Sequence, residues 1–79
     1  MARWVLYGTA ACHLCERAEA LLAACGVTFD FMDIAADAGL TERYGVRIPV
    51  LADRVGGREL GWPFDERSLR DFLETEEAP

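Results

Sequence analysis

Cys12 and Cys15 lie three residues apart where a loop of small residues, Gly8-Thr9-Ala10-Ala11, gives way to an apolar pattern of helical period. Residues three apart on a helix carry Cβ atoms on the order of 5–6 Å from each other, so two thiols so placed can close a disulfide with little rearrangement. The first turn of a helix also presents unpaired N–H groups and the positive end of the dipole, both of which favour an anion. A thiolate is therefore stabilised at Cys12, and the thiolate is the nucleophile of thiol–disulfide exchange. This assigns attack to Cys12 and resolution to Cys15, which sits one turn in beside Leu14 and is the more buried thiol. His13 lies between them. As an imidazolium it favours the thiolate, as a neutral imidazole it can shuttle a proton, and as a merely exposed helix-start residue it does neither. Two cysteines at this spacing after a strand, a loop and a helix start form a redox signature.

The third thiol is separate. Cys25 comes ten residues after Cys15, a rise of about 15 Å on a continuous helix. A disulfide tolerates only roughly 4.4–6.8 Å between Cα atoms, so the two cannot pair. On the apolar stripe Cys25 is expected to be buried and inert; the other reading is an exposed thiol open to glutathionylation or dimer formation. A closed zinc site takes four ligands, and only Cys12, His13 and Cys15 are near one another, so no metal is expected within one chain. A zinc ion or cluster shared between two chains is the remaining metal option.

The elements that position this pair can be read along the chain. Arg3-Trp4-Val5-Leu6-Tyr7 is a strand closed by Gly8. Leu14, Ala18, Leu21, Leu22 and Cys25 fall on one face of a helix that Gly26 stops. Val27 to Asp33 alternates as a strand, with Val27, Phe29 and Phe31 against Thr28, Asp30 and Met32. Asp37 caps a short helix carrying Leu40 and Tyr44 and ending at Gly45. Residues 47–52 form a strand with Pro49 near its start, Gly56-Gly57 turns, and residues 58–60 return antiparallel. Asp65 caps the last helix, with Phe64 and Leu69 as its staple and Leu69, Phe72 and Leu73 as its buried stripe. The order β-α-β-α-β-β-α predicts an α/β domain with a mixed four-stranded sheet and flanking helices.

Seventy-nine residues suffice for one domain, here 1–74, with 75–79 as a frayed acidic tail. A 52% apolar composition supports a core without staples. The net charge of −6 disfavours nucleic acid as a partner. All eight basic residues are Arg, which excludes Schiff-base chemistry on lysine. No apolar run approaches the roughly 18 residues needed to cross a bilayer. Met1 to Leu6 reads directly into a strand with neither an h-region nor a cleavage site, so the cytoplasm is the expected compartment. An odd cysteine count fits a reducing compartment better than a paired secreted scaffold.

Tyr7-Gly8-Thr9-Ala10-Ala11-Cys12-His13-Leu14-Cys15 resembles the active-site segment of glutaredoxins, and Ile48-Pro49-Val50 resembles the cis-proline loop of thioredoxin folds. The resemblance runs from Trp4 to Leu73. It is nearest to short bacterial glutaredoxin-like proteins of unsettled function that share a Cys-His-Leu-Cys segment and a stretch like Gly61-Trp62-Pro63-Phe64-Asp65. It implies a thioredoxin-like fold, a cis Ile48–Pro49 bond facing a Cys12–Cys15 disulfide, and a substrate strand bound by backbone beside Pro49. The residues alone would read Pro49 as a trans proline at a strand start.

The departures concern glutathione. Thr9 stands where glutathione-using relatives place a Lys, Arg47-Ile48-Pro49 replaces their Thr-Val-Pro, and residues 60–66 replace a Gly-Gly motif. By position, Asp65 would hold the glutathione amino group or serve only as a cap, and Arg47 would meet a carboxylate. Trp62 would line the groove or pack into the core, and Tyr7 and Ile48 complete the contact set. The expected function is a glutaredoxin-like thiol–disulfide oxidoreductase, an enzyme that acts on a disulfide-containing protein or a glutathione mixed disulfide. It would act as a monomer without metal or organic cofactor. Its electrons would come from glutathione or a thioredoxin-reductase-type donor. The alternative is a non-catalytic redox-sensing or binding module, and a third option is an iron–sulfur or zinc protein bridging two chains.

Overall fold

β1, Trp4–Gly8, lies inside a four-stranded sheet of order β2-β1-β3-β4 in a computed structural model that describes residues 2–10 and 12–74. The other elements are α1 (His13–Ala24), β2 (Phe29–Asp33), a single 3-10 turn (Ile34–Ala36), α2 (Ala38–Tyr44), β3 (Val50–Asp53), β4 (Glu59–Gly61) and α3 (Glu66–Glu74). β2 runs parallel to β1, β3 antiparallel to β1, and β4 antiparallel to β3. Both faces of the inner strands are covered, so Val5, Leu6, Val50 and Leu51 are all buried. Leu6 pairs with Leu51, and both join Ala18 and Leu22 of α1 and Leu69 and Phe72 of α3 in one core cluster. The adjacent pair, Tyr7 and Val50, faces the other way, into a cluster with Ile34 and Tyr44. The expected α/β fold and element order are those of the structure.

Side-chain caps fix the helix boundaries. Asp37 accepts the Leu40 N–H at 3.0 Å at the head of α2. At the head of α3 the Ser68 N–H donates to Asp65 Oδ1 at 2.8 Å while the Asp65 N–H donates to Ser68 Oγ at 3.0 Å, a reciprocal capping box. Phe64 and Leu69, on either side of that box, are both buried in the same cluster. α1 ends with Gly26 N–H bonded to the Ala23 carbonyl and Val27 N–H to the Leu22 carbonyl, each at 3.0 Å. That closing turn requires a left-handed residue, and Gly26 supplies it at φ 75°.

Five expectations need correction. The stripe of α1 centres on Cys15, Ala18 and Leu22, while Leu14 is 40% exposed, because the first turn is rotated to seat Cys15 on the sheet. Cys25 is only half-buried at the end of that helix. β2 starts at Phe29, since the residues before it complete the helix stop. β3 starts at Val50: the Arg47 and Ile48 N–H groups are bonded back to the Tyr44 carbonyl, and Pro49 has none to offer. β4 is likewise one residue later than its expected span. The 3-10 turn, capped by Asp33, was not anticipated. The acidic tail expected over 75–79 lies outside the described residues. No helix among the described residues is long and apolar enough to cross a membrane.

A buried ion pair ties the start of β1 to the end of β3. Arg3 Nε and Nη2 donate to the two oxygens of Asp53 at 2.8 and 2.9 Å, and the Val55 N–H adds a third bond at 2.9 Å. The Arg3 guanidinium holds the Asp53 carboxyl well below the usual carboxylate range despite its burial. Such a depressed group stabilises the fold above its ordinary pKa, and that contribution is lost as pH falls. Arg3→Ala is expected to cost about 2–3 kcal/mol in urea unfolding at pH 7, toward the low end for a broken buried pair because Arg3 is partly exposed. The deficit relative to the unsubstituted chain should shrink as the pH drops below about 4, where unfolded carboxylates take up protons. A deficit independent of pH would contradict this.

Candidate functional site

The register gathers one end of the sheet. Gly8 ends β1 opposite Asp33, the end of parallel β2, while Tyr7 lies opposite Val50, the start of antiparallel β3. Val50 in turn lies opposite Gly61, the end of β4. The loop into α1, the Pro49 loop and the segment into α3 therefore all leave the sheet at this one edge.

Cys12 is the N-cap of α1, with extended backbone at φ −102° and ψ 113°, and its Sγ accepts the Cys15 N–H at 3.2 Å. An orphan N–H of the first turn is thus aimed at this sulfur, as a thiolate there requires. Cys12 is half-buried and His13 is exposed. Cys15 is only 1% exposed. Burial pushes its thiol up to about 11; hydrogen bonding to Cys12 adds to the rise, and a backbone bond from Thr9 opposes it. All three cysteines are free thiols.

Gly8 makes the burial of Cys15 geometrically feasible. A Cβ at that position would lie 2.7 Å from Cys15 Sγ and 3.2 Å from Phe31 Cε1. The hydrogen of glycine leaves the space that the sulfur and the ring edge occupy. Sequence marks neither Gly8 nor Phe31 as a site residue: Gly8 reads as the end of the first strand and Phe31 as one of the alternating residues of the second.

Pro49 is fully buried and the Ile48–Pro49 peptide is cis, as is Trp62–Pro63. The Pro49 carbonyl accepts the Trp62 N–H at 3.1 Å, which places Trp62 beside the proline loop. The Trp62 ring is half-buried, edge-on to Phe64 at 5.0 Å, and packs against the α1/α3 core. Of the two expected roles, packing into the core is the one the structure displays, with part of the ring left exposed beside the proline loop.

The other residues carried over as glutathione contacts separate into three groups. Ile48 stays in the proline loop, with its N–H bonded to the Tyr44 carbonyl at 3.2 Å. Tyr7 stacks on Tyr44 at 4.4 Å between ring centroids, and the Tyr44 hydroxyl donates to Glu59. Burial, then that bond, pushes the Tyr44 hydroxyl up to about 12. Arg47 donates to the same carboxylate at 3.0 Å and lies over the Tyr44 ring. Tyr7 and Arg47 are thus drawn into a cluster on Glu59, whose carboxyl is held below its ordinary value by the Tyr44 bond first and Arg47 next. Nothing local in the sequence signals this cluster, because Tyr44 and Glu59 are 15 residues apart. Asp65 accepts from both the N–H and hydroxyl of Ser68, which hold its carboxyl low. Among the described residues no group of three or more His, Cys, Asp or Glu is placed to hold a metal ion.

The family model described as Glutaredoxin-like domain (DUF836) matches residues 3–74. The chain belongs to this glutaredoxin-like family. Its fold is shared with the crystal structure of target protein XcR50 from X. campestris, which is 45% identical, with 96% of this chain and 99% of that one covered and a TM-score of 0.85. A solution structure of glutaredoxin from Brucella melitensis is 32% identical over 91% of this chain and 82% of that one, with a TM-score of 0.62. The glutaredoxin of Archaeoglobus fulgidus, 22% identical over 94% and 88%, shares the fold at a TM-score of 0.68. No curated protein matches the chain. The glutaredoxin-like fold supports a thiol-redox role for this domain.

Gly8→Ala tests the seating of Cys15. Overpacking at this contact should destabilise the domain by about 1–3 kcal/mol in chemical unfolding. It should also make the Cys15 thiol accessible to alkylating reagents in the folded protein. A variant as stable as the parent, with Cys15 still protected, would show that Gly8 does not set the site.

Proposed function

We propose that this glutaredoxin-like domain is a thiol–disulfide oxidoreductase with Cys12 as nucleophile and Cys15 as resolving thiol. The observation that carries the reading is the N-cap position of Cys12, its sulfur receiving the Cys15 N–H in front of a buried second thiol. The Cys12 thiolate attacks one sulfur of the substrate disulfide; a mixed disulfide forms, and the other substrate sulfur leaves as a thiolate that takes up a proton. Two influences that keep Cys15 protonated, its hydrogen bond and charge interaction with Cys12, belong to the reduced pair. Once Cys12 is in the mixed disulfide they lapse, and although burial still opposes ionisation, Cys15 gives its proton to solvent and attacks Cys12 Sγ, breaking the bond to the substrate sulfur, which leaves as a thiolate and is protonated. The substrate departs reduced, and the domain keeps the two-electron oxidised Cys12–Cys15 disulfide. Glutathione or a reductase of the thioredoxin-reductase type returns the electrons. His13, exposed in the same turn, is available to exchange protons with solvent. The scheme needs no metal or organic cofactor, and it operates in a monomer in the cytoplasm.

The test is intact-mass analysis of the protein equilibrated across glutathione redox buffers, alongside Cys12→Ser and Cys15→Ser. The parent should lose two hydrogens reversibly, and Cys15→Ser should trap glutathione on Cys12. A pair that stays reduced throughout, or glutathione added only at Cys25, would replace this reading with a non-catalytic binding module.

A further inference from the structure

We infer that the site selects disulfides in protein segments with apolar side chains beside the cysteine and a neutral or basic charge, in preference to glutathione mixed disulfides. The inference rests on the oxidoreductase reading and names its substrate class. Two charged residues that could meet glutathione at this edge of the sheet are already engaged. Arg47 is bonded to Glu59 at 3.0 Å, and Asp65 is closed on Ser68 at 2.8 Å. Holding a glutathione carboxylate or ammonium there would mean giving up those bonds, with only exchange in return. The backbone beside Pro49 is also partly used, since the Ile48 N–H and the Pro49 carbonyl both have internal partners.

The same edge also exposes apolar side chains. Leu14, between the two cysteines, is 40% exposed, and Val46, three residues before Pro49, is fully exposed. Phe31 is 40% exposed, with its ring edge against the Gly8–Cys15 contact. Trp62 adds a half-buried ring beside Pro49. Single exposed apolar residues are ordinary on protein surfaces. These four instead come from four separate segments: Leu14 lies between the two cysteines at the start of α1, Phe31 is set against Gly8, and Val46 and Trp62 adjoin the Pro49 loop, whose neighbour Val50 pairs with Tyr7 next to Gly8. Exposed Val55 is in the β3–β4 turn, and Met32 points to the other sheet face, so neither belongs to this rim.

Charge points to the same substrate class. The chain carries a net −6. Glutathione, whose two carboxylates outnumber its one ammonium, is repelled mildly at long range by an acidic chain, with salt screening most of the effect, whereas a neutral or basic segment is not.

The experiment is single-turnover reduction of three probes by the pre-reduced full chain, read as second-order rate constants by quenched-flow mass analysis. The probes are a peptide disulfide with Val and Leu flanking each cysteine, the same peptide with Glu flanks, and the mixed disulfide of glutathione with 2-mercaptoethanol. The apolar peptide should react about tenfold faster than either other probe, as expected for burial of one or two aliphatic side chains. In Leu14→Ser and Val46→Ser, both exposed positions, that preference should fall by about five- to tenfold. Equal or faster reaction of the glutathione probe, or a preference unmoved by both substitutions, would overturn the inference while leaving the oxidoreductase intact. Failure to reduce any of the three, or hydroxyethyl disulfide as a small unselective probe, would instead overturn the oxidoreductase reading itself.

Discussion

The sulfur of Cys15 rests where a side chain on Gly8 would be, and much of the site follows from that one contact. It fixes the rotation of α1 about its axis, because the helix must turn Cys15 toward the sheet. Ala18 and Leu22 then fall in line behind it in the core, and Leu14 is left facing water. It also fixes the two thiols in unlike surroundings. Burial holds the inner one protonated, while the outer one takes the cap position and receives a backbone N–H. A dithiol in which both members were equally exposed would have no built-in order of reaction.

The remaining sheet contacts serve the same end of the molecule from a distance. Pairing of Leu6 with Leu51 and Tyr7 with Val50 sets the strand register, and a slip of one residue would reverse both faces. That register carries Pro49 and the end of β4 to the edge where α1 begins. At the other end of β1 the Arg3–Asp53 pair closes the sheet and leaves no unpaired buried charge. On the α2 face Glu59 gathers Tyr44, Arg43 and Arg47, which ties β4 to the segment leading into Pro49. Charged groups thus stabilise the frame around the site.

The sequence disclosed what depends on neighbours along the chain. The spacing of Cys12 and Cys15, the caps at Asp37 and Asp65, the stop at Gly26 and the strand alternation are all local patterns, and each element appears where those patterns put it, within a few residues. Structure and local pattern differ where a distant partner decides. Leu14 and Cys15 both fit an apolar stripe, and only the space above Gly8 selects the cysteine. Residues 47–49 look like strand, but Tyr44 claims their backbone donors. Arg47 reads as a free cation in one dimension and is an internal partner of Glu59 in three. Asp65 reads by position as a glutathione contact or a cap, and the reciprocal bonds with Ser68 show the cap.

The unlike environments of the two thiols underlie the proposed division of roles, and alkylation of the reduced chain as a function of pH, with the modified cysteine located by peptide mapping, measures them directly. At pH 8 a thiol that ionises at about 11 has roughly one part in a thousand as thiolate, so iodoacetamide should label Cys12 well before Cys15. Labelling of Cys15 should rise only as the pH approaches 11. Comparable rates at both cysteines near neutrality, or faster labelling of Cys15, would contradict the division of roles on which the proposed mechanism stands.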